Sequence, residues 1–237
     1  MAGHIVSSYD SELQGLRRTI AEMGGIAEKM LADAIAALLR RDTPLAQAVI
    51  AADGRLDQLQ REVEEQAILT LVRRQPMAID LRETVSAIRI SSDLERVGDL
   101  AKNVGKRVLA IGGHFQAQKV LVGVQHMSDL VQGQLKDVLD AYAQQDPQKA
   151  LDVRQRDGAI DALYTSLFRE LLTYMMEDPR NITFCTHLLF CAKNIERIGD
   201  HTTNIAETVN YLVTGENLSL DRPKNDRSSF EAVEADA

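Results

Sequence analysis

The sequence predicts an all-α protein made of two tandem three-helix bundles, with six long antiparallel helices related by an internal pseudo-twofold repeat. Three observations predict it: few strand-forming residues, apolar positions spaced three and four apart, and the repeat itself. Aromatic residues make up only 4% of the 237 residues, Trp is missing, and Gly (14) and Pro (5) are sparse. Sheet proteins need aromatic and β-branched strands separated by frequent turns, so this composition favours helices.

Prolines mark where helices begin. Pro44, Pro147 and Pro179 each follow a Thr or an Asp. Such a residue can cap a helix, and proline suits the first helical position because its missing N–H would have no partner there. A further break falls at the glycine pair 112–113. These marks predict six helices, near residues 7–42, 44–74, 76–111, 116–145, 147–177 and 179–213.

Apolar residues form heptad-like stripes on the predicted helices. In the third helix the stripe runs from Leu94 to Ile111, and in the sixth it runs from Ile195 to Leu212 with the same spacing. Long helices with such stripes and short connections pack as antiparallel bundles that cross at about 20°.

The second half of the chain repeats the first. A shift of 104 positions aligns residues 23–61 with 127–165, and a shift of 101 aligns the ERVGD of residues 95–99 with the ERIGD of residues 196–200. A period of this length indicates a duplicated domain and not a short solenoid repeat. We expect the first bundle at residues 1–113, the second at 114–214, and a polar, disordered tail at 215–237.

Acidic residues recur four apart on the second and third helices of both halves. Residues at this spacing share a helix face about 6 Å apart, and two like charges there cost roughly a few tenths of a kcal/mol. If these helices lie side by side, each half gathers four carboxylates and one carboxamide oxygen, a donor set that suits Mg, Ca, Mn or Fe. The candidate metal-ligating residues are Asp53, Asp57, Glu95, Asp99, Asn103, Asp157, Asp161, Glu196, Asp200 and Asn204.

Two alternatives stay open for these acidic residues. Glu95 and Asp99 lie more than about 100° from the centre of the apolar stripe, so we expect a shallow, solvent-facing cluster. The acids could then be solvated charge paired with Arg96 and Arg197. The glycine inside each motif could leave room for an ion, or it could allow close helix packing.

Other function classes find little support in the sequence. The formal net charge of −8 argues against a nucleic-acid binder. There is no Gly-rich phosphate loop, no Glu-x-x-His and no nucleophile–base spacing, so we assign no catalytic residue and no organic cofactor. His201 is expected to be satisfied or exposed and not a ligand, and Cys185 and Cys191 are expected to be buried thiols. No transmembrane span or signal peptide is visible, so we expect a cytoplasmic protein.

Several stretches of the chain resemble the PhoU family, the accessory and regulatory proteins of bacterial phosphate-specific transport. The resemblance spans roughly residues 7–214 and rests on DGRLD at 53–57, QPMAIDLR at 75–82, ERVGD at 95–99 and NIERIGDHTTNIAE at 194–207. It implies two three-helix bundles. It also implies multinuclear metal clusters, of iron or zinc in some members, at the ten candidate residues named above; the ions here would be Fe, Zn, Mn or Mg.

The resemblance further implies a non-enzymatic regulator that restrains phosphate uptake and the phosphate-starvation response. Its partners would be the ATPase subunit of the phosphate ABC transporter and a sensor histidine kinase, so that it meets the membrane only indirectly. Exposed Met and Leu positions predict a homodimer. The second half has DPRNITF at 178–184 in place of QPMAIDLR, so partner contacts made by that stretch would be one-sided. The alternatives are a carboxylate-bridged metal-dependent enzyme and a metal-independent helical adaptor.

Overall fold

A computed structural model describes residues 2–111 and 118–218, with side chains from residue 11 to 111 and from 120 to 218. Within these ranges the chain forms α-helices, one short 3-10 helix and no strand, which confirms the predicted all-α class. The predicted tail lies almost wholly outside the described residues, as does the bundle boundary at 113/114. The helices are α1 (Ala2–Arg40), α2 (Thr43–Arg74), α3 (Ile79–Ala110), α4 (Gln118–Gln144), α5 (Pro147–Gln155), α6 (Asp157–Glu177) and α7 (Ile182–Thr214).

Two of the three proline signals mark helix starts as predicted, although the residue that caps α2 is Asp42 and not Thr43, the residue before Pro44. Asp42 caps α2 by accepting a hydrogen bond of 2.9 Å from the backbone N–H of Leu45. Asp146 caps α5 by accepting bonds of 2.9 Å and 3.1 Å from the N–H groups of Gln148 and Lys149. These side chains satisfy N–H groups that have no partner inside the helix.

The third proline signal, at Pro179, begins a 3-10 turn (Pro179–Asn181) and not an α-helix. Asp178 still acts as a cap, because it accepts a hydrogen bond of 3.0 Å from the N–H of Arg180. The helix α7, however, starts three residues later than predicted. The third helix also starts late, at Ile79, because Gln75 and Ala78 have positive φ angles of 50° and 52°. Such left-handed backbone conformations interrupt the helix.

The fifth predicted helix is divided into α5 and α6 at Arg156, which forms a turn with φ −83° and ψ −7°. At this break the N–H of Ala159 bonds to the carbonyl of Arg156 at 3.2 Å, three residues back instead of four. A local 3-10 bond tightens the helix without reversing it. Asp157, the first candidate ligand of the second half, therefore stands at the start of α6.

Each half packs as a bundle around its own apolar stripes. Helices α1, α2 and α3 form the first bundle, and α4, the α5–α6 pair and α7 form the second. The two bundles meet mainly along α3 and α7, with α1 against α4. The predicted stripes on α3 and α7 are buried, as Leu94, Val97, Ile195 and Ile198 show with no exposed surface. In this arrangement α2 lies beside α3 and α6 lies beside α7, which is the condition for the acidic residues of each half to form one cluster.

None of the described helices combines the length and the apolar content that crossing a bilayer would need.

Candidate functional site

The first acidic patch consists of Asp53 and Asp57 on α2 with Glu95 and Asp99 on α3. Burial raises the pKa of Glu95, and the charges of Asp99, Asp57 and Asp53 raise it further, against a lowering by Arg96. These like-charge effects come from both helices, so the four carboxylates share one region. Arg96 approaches the patch from solvent, 3.5 Å from Glu95 and 3.4 Å from Asp99, with 57% of its side chain exposed.

Lys102 lies between the two helices of the first patch. Its Nζ donates hydrogen bonds of 2.5 Å to Asp53 Oδ2 and of 2.5 Å to Asp99 Oδ1. Burial by itself lowers the pKa of Lys102, but the hydrogen bonds and charges of the two carboxylates outweigh burial and hold the pKa above its ordinary value. Lys102 therefore stays positively charged and links α2 to α3.

The second acidic patch consists of Asp157 and Asp161 on α6 with Glu196 and Asp200 on α7. Lys193 Nζ donates 2.9 Å to Glu196 Oε1, while Glu196 Oε2 is buried with no hydrogen-bond partner among the described residues. Burial raises the pKa of Glu196; Lys193 lowers it, and the charges of Asp200 and Asp161 raise it again. Here too, carboxylates of both helices gather in one region.

The depth of the patches differs from the sequence expectation of a shallow, solvent-facing cluster. Asp53, Asp157, Asp161 and Glu196 are buried, with only 4–7% of their surface exposed, and the other four acids are half-buried. The expectation was wrong because it considered only the angle around the helix between each acid and the apolar stripe of that same helix. The flank of a helix also becomes buried when a second helix packs closely beside it.

The glycine of each motif explains this close approach. A Cβ on Gly98 would overlap the side chain of Leu56, and a Cβ on Gly199 would lie 3.0 Å from Ile160 Cδ1. Leu56 and Ile160 occupy equivalent places in the repeat and are both buried. Of the two roles open from sequence, close helix packing is therefore the one that the contacts favour.

Among the described residues, the two candidate carboxamides, Asn103 and Asn204, have no contact with the acidic patches comparable to those among the carboxylates. Asn103 is half-buried on α3, one turn beyond Asp99. Asn204 donates from Nδ2 to Asp93 Oδ1 at 3.3 Å, so its amide group turns toward α3 of the other bundle. His201, expected to be satisfied or exposed, has its Nδ1 2.9 Å from the same Asp93 oxygen.

Sequence reasoning missed Asp93 as a partner at the interface between the bundles. Asn194 takes its place in the second half, so the repeat gave no signal. The thiols match their expectation: Cys185 and Cys191 are free and buried, and burial raises the pKa of Cys191 to about 12.

The fit of metal ions to these patches differs between the halves. In the part of the chain that the structure describes, no three Asp, Glu, His or Cys side chains are arranged to hold a metal ion. In the first patch an ammonium group already bridges two of the candidate ligands. In the second, the buried and unpartnered Glu196 Oε2 is a hard donor suited to a cation. Metal binding by the ten candidate residues stays a prediction.

Known proteins share this architecture and much of the sequence. The PhoU domain model matches residues 20–108 and 124–209. The phosphate-specific transport system accessory protein PhoU homolog of Rhizobium meliloti is 59% identical over 226 residues, covering 95% of both chains. The Caulobacter vibrioides homolog of the same name is 55% identical, covering 95% of this chain and 98% of its own.

Two solved structures are similar to this chain in both fold and sequence. PhoU from Pseudomonas aeruginosa is 40% identical, with a TM-score of 0.85 over 88% of this chain and 100% of its own. The phosphate transport system regulatory protein PhoU from Streptococcus pneumoniae is 30% identical, with a TM-score of 0.83 over 90% and 100%. The duplicated bundles, the paired acidic motifs and these similarities together show that the chain belongs to the PhoU family.

Proposed function

We propose that this protein is a negative regulator of phosphate uptake and of the phosphate-starvation response. It acts in the cytoplasm, as a homodimer, by contacting the ATPase subunit of the phosphate ABC transporter and a sensor histidine kinase. Support comes from relatives that are named accessory or regulatory proteins of phosphate transport and that match nearly the whole chain. The function is therefore protein–protein recognition and not catalysis.

The observation that carries this proposal is an apolar surface at one end of the first bundle, which we name the apolar tip. It lies where α2 passes into α3, and Val72 and Met77 are its most exposed side chains, at 71% and 80%. Apolar side chains grouped on a surface are typical of protein interaction sites. The members of the apolar tip are Ile68, Leu69, Val72, Met77, Ile79 and Leu81.

The equivalent connection in the second half is less apolar. It exposes Met176 at 72% and Ile182 at 47%, but Asp178 and Arg180 lie between them as a hydrogen-bonded ion pair of 2.8 Å. The first connection also carries charged residues, Arg73 and Arg74, but it exposes six large apolar side chains, against two at the second. We assign the apolar tip to the ATPase subunit, in line with the one-sided contact expected from the QPMAIDLR stretch.

A binding experiment with the purified ATPase subunit tests this assignment. Introducing charge at the tip, as Val72→Asp with Met77→Asp, should weaken binding roughly 30-fold, because removing buried apolar anchors of an interface costs about 2 kcal/mol or more. Met176→Asp is the matched control, an equally exposed methionine at the other connection, and should leave affinity unchanged. Equal affinities for the tip variant and the native protein would contradict the assignment.

We also propose that metal ions bind the acidic patches. Bound ions would neutralise the clustered carboxylates and so change what this face of the protein can bind. Elemental analysis of the purified protein, beside Glu95→Ala/Asp99→Ala and Glu196→Ala/Asp200→Ala variants, tests this. We expect Fe, Zn, Mn or Mg in the native protein and less in the variants. Equal, near-zero metal in all three proteins would exclude metal binding and leave the regulatory proposal intact.

A metal-independent adaptor is the second candidate function. Lys102 favours it, because an internal ammonium already compensates part of the first patch. The same binding experiment with a chelator separates the two. Affinity for the ATPase subunit that does not change after chelation would support the adaptor, whereas a loss of affinity would support metal-dependent recognition.

A further inference from the structure

We propose that Lys102 is the resident cation of the first acidic patch and competes with metal ions for the carboxylates of Asp53 and Asp99. This proposal rests on the proposed function in one respect: both concern the carboxylates of the first acidic patch, to which the proposed function assigns metal ions. It makes the two halves of the protein chemically different, although their backbones repeat.

The position of the ammonium group is the first argument. Lys102 Nζ is 2.5 Å from one oxygen on α2 and 2.5 Å from one oxygen on α3. A metal ion held by the same two oxygens would lie about 2.0–2.6 Å from each. The ammonium and the ion would therefore occupy nearly the same place, and one must leave before the other can bind.

The surroundings of Lys102 are the second argument. Its side chain is only 19% exposed, and the side chain of Asp53 is 10% exposed. A buried carboxylate is costly unless a charge or hydrogen-bond donor compensates it. Lys102 supplies that compensation from within the chain, so the first patch does not need a metal ion to be filled.

In the second half, a different side chain occupies the position equivalent to Lys102. Thr203 occupies the position equivalent to Lys102, is fully buried, and donates 3.1 Å to Asp157, the equivalent of Asp53. The second patch has a lysine of its own, Lys193, but it comes from a different place in the repeat and bonds to Glu196. Threonine is thus a side chain that this fold accepts at the position of Lys102.

Titration with Mn²⁺ tests the proposal, with Glu196→Ala/Asp200→Ala as the parent protein, because this parent lacks both α7 acids of the second patch. Adding Lys102→Thr should raise the Mn²⁺ affinity at least about tenfold, because removing a positive charge within a few ångström favours a bound cation. Adding Asp53→Asn should remove the gain. Lys106→Thr, on an exposed lysine of the same helix, is the control and should match the parent.

The proposal is overturned if Lys102→Thr and the parent bind Mn²⁺ equally, or if neither binds it. Lys102→Met keeps the aliphatic stem without the charge and decides the matter if the threonine variant does not fold, as judged by circular dichroism. Elemental analysis of the native protein tests metal binding by the proposed function separately. A native protein without metal would contradict that part, whereas a gain in Lys102→Thr would still support the role of Lys102.

Discussion

At the scale of single residues, the glycines of the repeated motifs control how closely the paired helices approach. Gly98 faces Leu56, a fully buried leucine, and an added methyl group would overlap its side chain. The helix interior would otherwise favour alanine over glycine by about 1 kcal/mol. The glycine is therefore retained against local helix propensity because the contact between α2 and α3 requires it.

We expect Gly98→Ala to lower the free energy of unfolding by about 1–3 kcal/mol, the usual cost of overpacking a filled core. Chemical denaturation measures this. Gly54→Ala is the matched control, since a Cβ there meets no atom within 4 Å, and helix propensity should stabilise it by up to about 1 kcal/mol. If the two variants prove equally stable, packing against Leu56 does not explain Gly98.

The acidic residues mark how far the sequence could predict the site. The spacing of four and its repetition predicted which carboxylates share a helix face. The structure brings all four acids of the first half together. In the second half it brings Asp161 to Glu196 and Asp200, while Asp157 bonds to Thr203 of α7. The burial of these acids was not predictable, because it depends on how neighbouring helices are rotated toward each other. The contact of Lys102 with Asp53 joins residues 49 positions apart, and no local pattern encodes it.

At the scale of whole elements, the proline and capping signals correctly predicted those helix starts that are stabilised by hydrogen bonds between near neighbours in sequence. Asp42 and Asp146 cap α2 and α5 through hydrogen bonds to residues two or three positions on, and such bonds follow directly from sequence order. The start of α3 was predicted three residues too early. Gln75 is a poor cap, and it adopts a left-handed conformation that instead closes the end of α2.

The division between α5 and α6 was not predicted: Asp157-Gly158 directly follows the break, but the equivalent Asp53-Gly54 lies inside a continuous helix. Arg156 interrupts the helix while keeping right-handed backbone angles. Its Nη2 donates 2.6 Å to Asp137 on α4, a tertiary contact that sequence periodicity does not reveal. The first half has a continuous α2 at the equivalent place, so the duplication predicted a single helix here.

At the scale of the whole molecule, the duplication predicted two bundles but not how they join. The interface along α3 and α7 uses residues that differ between the halves. Asp93 contacts His201 and Asn204, and the guanidinium of Arg107 lies 4.3 Å from the ring centre of Phe190. A repeat can predict only what both copies share, and here each copy contributes different side chains to the contact.

Asp93 should therefore stabilise the pairing of the bundles. Asp93→Ala leaves two interface donors, on His201 and Asn204, without this acceptor, and we expect the free energy of unfolding to fall by about 1–3 kcal/mol. Asp33→Ala is the control: its ion pair with Lys29 lies at the surface, where Lys29 is 75% exposed, and such pairs contribute less than about 1 kcal/mol. Urea denaturation measures both.

A double-mutant cycle then assigns the effect to the interface itself. If Asp93 acts through His201, the Asp93→Ala/His201→Ala variant should be less destabilised than the sum of the two single variants, because each single change already removes the shared contact. Strict additivity would mean that the two side chains do not stabilise each other. The bundles would then be joined by apolar packing along α3 and α7, and the polar contact at Asp93 would be incidental to the arrangement of the two acidic patches.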